Sequence, residues 1–223
     1  MALNKLKFNS LNVTPTAGKT IGFNSSANGL EATLSGGSMR FIKKLTASSD
    51  STLSFVDGSS DVVLDNTYKE YIFIFNNIHP SGETTTFEFN LSTDSGSNYN
   101  VTKTSTFFEA IHAEDNSSAA LRYTTLGNAD GLAQSSNNQR FNQGTGAGDD
   151  ECISGYLHLF NPSSTTFVKH YIANSNNYYS TNYSTNVYVA GYGNTTSAVD
   201  AVRFEFAGGT TIDAGTITLY GIN

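Results

Sequence analysis

From Met39 onward the chain repeats one pattern: short runs in which apolar and polar residues alternate, each closed by turn-forming residues. Alternation with a period of two puts successive side chains on opposite faces of an extended strand, so one face can be buried while the other stays wet. TFEFNL (Thr86 to Leu91) is the clearest case, with Phe87, Phe89 and Leu91 on one face and Glu88 and Asn90 on the other. MRFIKKL (Met39 to Leu45), TLSFV (Thr52 to Val56) and EYIFIFN (Glu70 to Asn76) follow the same rule. So do ISGYLHLFN (Ile153 to Asn161), TTFVKHYIA (Thr165 to Ala173), NVYVAGYG (Asn186 to Gly193), VDAVRFEFA (Val199 to Ala207) and GTITLYGI (Gly215 to Ile222). Turn residues such as Ser49-Asp50-Ser51, Asp57-Gly58 and Asp65-Asn66 punctuate them. Strands recurring every roughly 8–14 residues predict an all-β fold, an antiparallel β-sandwich of jelly-roll type.

Composition agrees. Of 223 residues, 78 are Ser, Thr or Asn and 20 are Gly, against 14% charged. Too few Ala, Glu, Lys, Leu and Arg are present for a long helical protein. The single Cys152 excludes a disulfide scaffold. No apolar run of about 20 residues could cross a membrane as a helix, and MALNKLKFNS has no apolar stretch of signal-peptide type. A net charge of −7 without a basic cluster argues against nucleic acid, whose phosphates need Lys and Arg.

Residues 1–38 read differently. Leu3, Leu6, Phe8, Leu11, Ile21 and Phe23 are isolated apolar residues, and Gly18, Gly22, Gly29, Gly36 and Gly37 break any period. Such a segment has little core of its own. It is expected to be an extended arm that anchors the chain on something else, with residues 39–223 as the sandwich domain.

Three stretches resist the strand pattern. STFFEAIHAE (Ser105 to Glu114) fits a strand or a short helix, since Phe107, Phe108 and Ile111 also share a helical face. Asn128 to Gly148 is rich in Asn, Gln, Ser and Gly with almost no large apolar residue, and is expected to be an exposed loop, functional or mobile. Asn161-Pro162-Ser163-Ser164 predicts a tight hairpin.

No catalytic motif is present: neither a G-x-S-x-G elbow, nor HExxH, nor a phosphate-cradling loop. His158 and His170 fall in neighbouring strands where they could oppose each other, though a half-buried His is the ordinary state there. Cys152 beside Asp149-Asp150-Glu151 lacks the ligand set of a zinc or EF-hand site. No metal or cofactor is expected. Glu88, Glu109, Glu151 and Glu205 are the acids a glycoside hydrolase reading would use, but Glu88 and Glu205 sit opposite the apolar faces of their strands, as outward solubilising residues do. The recognition candidate is NSNNYYSTNYSTN (Asn174 to Asn186), where Tyr178, Tyr179, Asn182 and Tyr183 combine flat aromatic area with adaptable polar groups.

SFVDGSSDVVLDNTYKEYIFIFNNIHP (Ser54 to Pro80), SGYLHLFNPSSTTFVKHYIA (Ser154 to Ala173) and the closing VDAVRFEF and IDAGTITLYGIN resemble small virion-associated proteins of tailed, mostly marine, bacteriophages. The resemblance covers Met39 to Asn223, and LYGI (Leu219 to Ile222) corresponds to a recurrent last strand of that group. It implies a non-enzymatic particle component located in the virion: a tail fibre or receptor-binding protein, or a capsid decoration. Its implied partners are other virion proteins. Further copies of the chain, a trimer being favoured, are expected because closed symmetry would cover the edge strands that a lone sandwich leaves open. A host-surface glycan would be the partner if the chain serves adsorption, and polysaccharide hydrolysis is the remaining alternative.

Overall fold

The computed structural model describes residues 20–23, 26, 28–33, 38–123 and 130–222. The chain divides into two units, Met1–Ser38 and Met39–Asn223. In the first, β1 (Thr20–Phe23) and β2 (Leu30–Thr33) pair as an antiparallel hairpin with Phe23 opposite Leu30. The glycines that break the period therefore do not prevent strand pairing, since Gly22 sits in register opposite Glu31. Of the expected anchor residues, Ile21 and Phe23 lie in this hairpin; Leu3, Leu6, Phe8 and Leu11 lie outside the described residues.

The second unit is an antiparallel β-sandwich. Its larger sheet has eight strands. These are β3 (Met39–Thr46), β5 (Glu70–Pro80), β7 (Lys103–Ala113), β8 (Ala119–Tyr123), β10 (Ile153–Phe160), β11 (Lys169–Tyr179), β12 (Tyr183–Gly193) and β14 (Ile212–Ile222). They run in the order β3-β14-β5-β10-β11-β12-β7-β8. The smaller sheet has four: β4 (Leu53–Val56), β6 (Phe87–Ser92), β9 (Gln139–Arg140) and β13 (Ala201–Phe206), in the order β4-β13-β6-β9. The open segment Ser105 to Glu114 is thus a strand, β7, and not a helix.

Alternation sets the register. Phe204 faces Phe89, Phe206 faces Phe87 and Val202 faces Leu91 across β13 and β6, so one aromatic wall points inward. The larger sheet answers with Tyr71, Phe73 and Phe75 from β5, Leu157 and Leu159 from β10, and Tyr171 from β11, all buried. The walls meet ring to ring, Phe75 with Phe87 at 5.4 Å between centroids and Phe89 with Tyr171 at 5.2 Å.

Two expectations need correction. The polar stretch Asn128 to Gly148 is not an exposed loop: in its described part Asp130, Leu132, Gln139, Phe141, Asn142 and Thr145 are all buried. Phe141 is fully inaccessible and stacks on Phe87 and Phe89 at 5.4 and 5.1 Å. One ring in the core, two residues of strand at β9 and many side-chain hydrogen bonds hold a segment that has no hydrophobic period. The connection after β10 is also longer than a tight hairpin. A turn closes from Ser164 N to Asn161 O at 3.1 Å, but β11 begins only at Lys169.

Candidate functional site

The long hairpin β11–β12 ends at the pair Tyr179–Tyr183, with residues 180–182 as its tip and Asn182 in the left-handed region at φ 63°. The inward positions of β11 are Lys169, Tyr171, Ala173, Ser175 and Asn177, so Tyr179 continues the inner face and Tyr178 the outer one. The tyrosine cluster therefore does not form one surface. Tyr179 and Tyr183 meet edge to face, 6.4 Å apart at 88°. Tyr178 instead donates its hydroxyl to Asn182 Oδ1 at 3.2 Å.

Tyr179 and Tyr183 belong to a cleft of about 270 Å³ on the inner side of the larger sheet, with Glu109, Arg122, Gln143 and Thr185 among its walls. Register explains the grouping. Thr185 of β12 pairs with Ile111 of β7, Val187 with Glu109, and Glu109 with Arg122 of β8, so Thr185 and Glu109 are diagonal neighbours. Gln143 comes from the segment beneath β11, where Ser175 Oγ donates to Phe141 O at 2.5 Å and Asn177 Nδ2 to Gly144 O at 2.8 Å. Gln143 Nε2 also reaches Asp130 Oδ2 at 3.4 Å.

Glu109 is wholly buried. Its Oε1 stands 2.6 Å from Arg122 Nη2, whose side chain is 49% exposed. Its Oε2 has no hydrogen-bond partner among the described residues, and neither have Thr185 Oγ1 and Asn177 Oδ1. Burial pushes the Glu109 carboxyl above the ordinary carboxylate range, with Arg122 opposing. A second cleft, of about 380 Å³, shares Tyr183 and includes Asn182, Glu114 and Asp115.

The other acids do different work. Glu88 and Glu205 face each other across β6 and β13. Glu88 is not an outward solubilising residue: it is buried, accepts from Thr86 Oγ1 at 2.7 Å and pairs with Arg140 Nε at 3.2 Å. Glu205 pairs with Arg203 Nε at 3.0 Å and accepts from Asn138 Nδ2. Glu88 and Glu205 thus lie on the face of the smaller sheet away from its phenylalanines, Glu88 covered there, and each is paired with an arginine, Arg140 also reaching Asp130.

His158 and His170 do not oppose each other either. His158 is in register with Ile172; it pairs with Glu70 Oε2 at 2.9 Å and lies on Phe160. Among the described residues no three His, Cys, Asp or Glu gather as metal ligands would. Glu151, beside Cys152, instead accepts from Gly148 N at 2.7 Å.

The outer face of the larger sheet is unexpectedly apolar. Phe41, Ile172, Tyr188, Phe108, Leu121 and Tyr123 are exposed there, and Phe108 stacks on Tyr188 at 5.3 Å. Every residue of edge strand β8 is exposed. No protein-family model matches the chain, and neither a curated protein nor a solved structure is detectably similar to it.

Proposed function

We propose that this chain is a non-enzymatic structural component of a bacteriophage particle, anchored by its N-terminal unit and displaying its sandwich. The observation that carries this reading is the first unit's exposed apolar side chains: Phe23 is 74% exposed, and Ile21 and Leu30 are exposed with it. A two-stranded hairpin is marginal in water, and large uncovered apolar side chains mark surfaces that a partner buries. Copies of this chain around a closed three-fold axis would bury such side chains and cover edge strand β8 as well. The sequence resemblance points to virion proteins as the other neighbours. The non-enzymatic part of the reading is supported by Glu88 and Glu205, each engaged by an arginine in a structural pair.

Sedimentation velocity of the full chain tests it, with the double substitution Ile21→Lys and Phe23→Lys as comparison. The wild type is expected to sediment as a trimer at micromolar concentration and the variant as a monomer whose sandwich melts at an unchanged temperature. Peptides of the chain are expected in purified particles. A wild type that stays monomeric and is missing from particles would refute the proposal.

A further inference from the structure

We propose that the cleft between Tyr179, Tyr183, Glu109 and Thr185 binds a neutral sugar unit. Folding has desolvated Glu109 Oε2 and Thr185 Oγ1 and left both unpaired among the described residues, in side chains that are themselves buried. Buried polar atoms without partners are uncommon, and each asks for a hydrogen-bonding group from outside. Glu109 Oε2 accepts and the Thr185 hydroxyl both accepts and donates, so the missing group must at least donate. The same cleft carries donors in Arg122 and the amide of Gln143, so its ligand must also accept. Sugar hydroxyls do both at once.

Charge and shape narrow the class. The Glu109 carboxylate and the Arg122 guanidinium already cancel, 2.6 Å apart. An ammonium ligand would add a second cation beside Arg122, and a phosphate a second anion beside a buried carboxylate. At about 270 Å³ the cleft falls just short of the roughly 300–1,000 Å³ usual for drug-sized ligands, which suits a single six-membered ring. Tyr179 and Tyr183, perpendicular to one another, form an aromatic corner, and the face of one ring can meet the C–H face of such a sugar. Since the adjoining cleft shares Tyr183, a second unit linked to the first can extend toward Asn182.

This site goes beyond the assembly reading and is tested apart from it, on the isolated full chain. Amide resonances are followed by NMR while glucose, galactose, N-acetylglucosamine and their disaccharides are added, with tetramethylammonium and acetamide as controls. Shifts are expected to centre on Glu109, Tyr183 and Thr185, with about millimolar affinity for single sugars and at least tenfold tighter binding for one disaccharide. Tyr183→Ala should weaken binding at least tenfold. Thr185→Val should weaken it several-fold while raising the melting temperature, because it removes an unpaired buried hydroxyl; a purely structural threonine would not couple those effects. The proposal is overturned if no sugar shifts these amides, if a control shifts them more at equal concentration, or if Thr185→Val binds as the wild type does.

Discussion

Lys103 offers the sharpest test of the packing described above. It opens β7, is wholly buried, and hydrogen-bonds through Nζ to Asn90 Oδ1 at 2.5 Å and Val101 O at 2.8 Å. No carboxylate pairs with it among the described residues. Burial alone brings the ammonium from 10.5 down to about 7. The folded state therefore sheds this proton near neutrality while the unfolded chain keeps it to pH 10.5. Between those values the unfolded state binds more protons, so stability rises with pH. The linkage relation gives a gain of about 3 kcal/mol between pH 6 and pH 9 from this residue.

Lys103→Met removes the titration and keeps most of the volume. Asn90 Oδ1 retains Leu91 N as a donor at 2.9 Å, so the carbonyl of Val101 is the group left short of a partner. Urea unfolding of both proteins at pH 6, 7, 8 and 9 isolates the effect. Other titrating groups, including Lys169, which burial lowers in the same direction, cancel in the difference. The advantage of the methionine variant should fall by about 3 kcal/mol from pH 6 to pH 9. Parallel profiles, constant within about 0.5 kcal/mol, would mean that the amine reaches water or a counter-charge, and the buried-lysine reasoning would fail.

Two further predictions follow from single residues. Phe141→Ala should destabilise the sandwich by about 3–5 kcal/mol in thermal or urea unfolding, since its ring is fully buried against Phe75, Phe87 and Phe89; a loss under about 1 kcal/mol would mean that the segment around β9 is not core. Arg122→Met should raise the Glu109 carboxyl further and lower stability at pH 7 by about 1–3 kcal/mol, less than for a fully buried pair because Arg122 is half exposed. Because a raised acid favours the folded state only once protonated, that loss should shrink as the pH falls toward 4.5, the ordinary value, and a pH-independent loss would contradict the assignment.

The large strands were legible because most of their length alternates, and the inward wall of Phe87, Phe89 and Leu91 could be written down from sequence alone. Phe141 could not. It stands alone in NQRFNQG, and what buries it is the neighbouring network of Asn142, Gln139 and Ser175, which has no periodic signature. Glu109 was half legible. Once Ser105 to Glu114 is a strand, parity places Glu109 on the same face as Phe107, but helix and strand patterns overlap there. Its partner Arg122 depends on the β7–β8 register, which no local pattern encodes. Parity would also have separated Tyr178 from Tyr179, had the strand been carried from Tyr171 through to the hairpin tip.

The position of the cleft follows from the mismatch between eight strands and four. Inward side chains of β11 are apolar at Tyr171 and Ala173, which the phenylalanine wall of the smaller sheet covers. Beyond that wall the cover is the irregular segment around residues 139–145, which presents backbone carbonyls as well as rings. The inner face of β11 changes chemistry to match, Ser175 donating to Phe141 O and Asn177 to Gly144 O. A carbonyl under a sheet must be paired, so polar residues are required there for packing alone. At Thr185, one strand further across on β12, and Glu109, two strands across on β7, that need for donors ends, yet both side chains remain buried, with Thr185 Oγ1 and Glu109 Oε2 unpaired among the described residues. Structural demand accounts for the Ser175 hydroxyl and the Asn177 amide nitrogen, though Asn177 Oδ1 is left unpaired among the described residues. It supplies no partner for Thr185 Oγ1 or Glu109 Oε2, and what separates the cleft from the polar seam beside it is that these last two side chains line it.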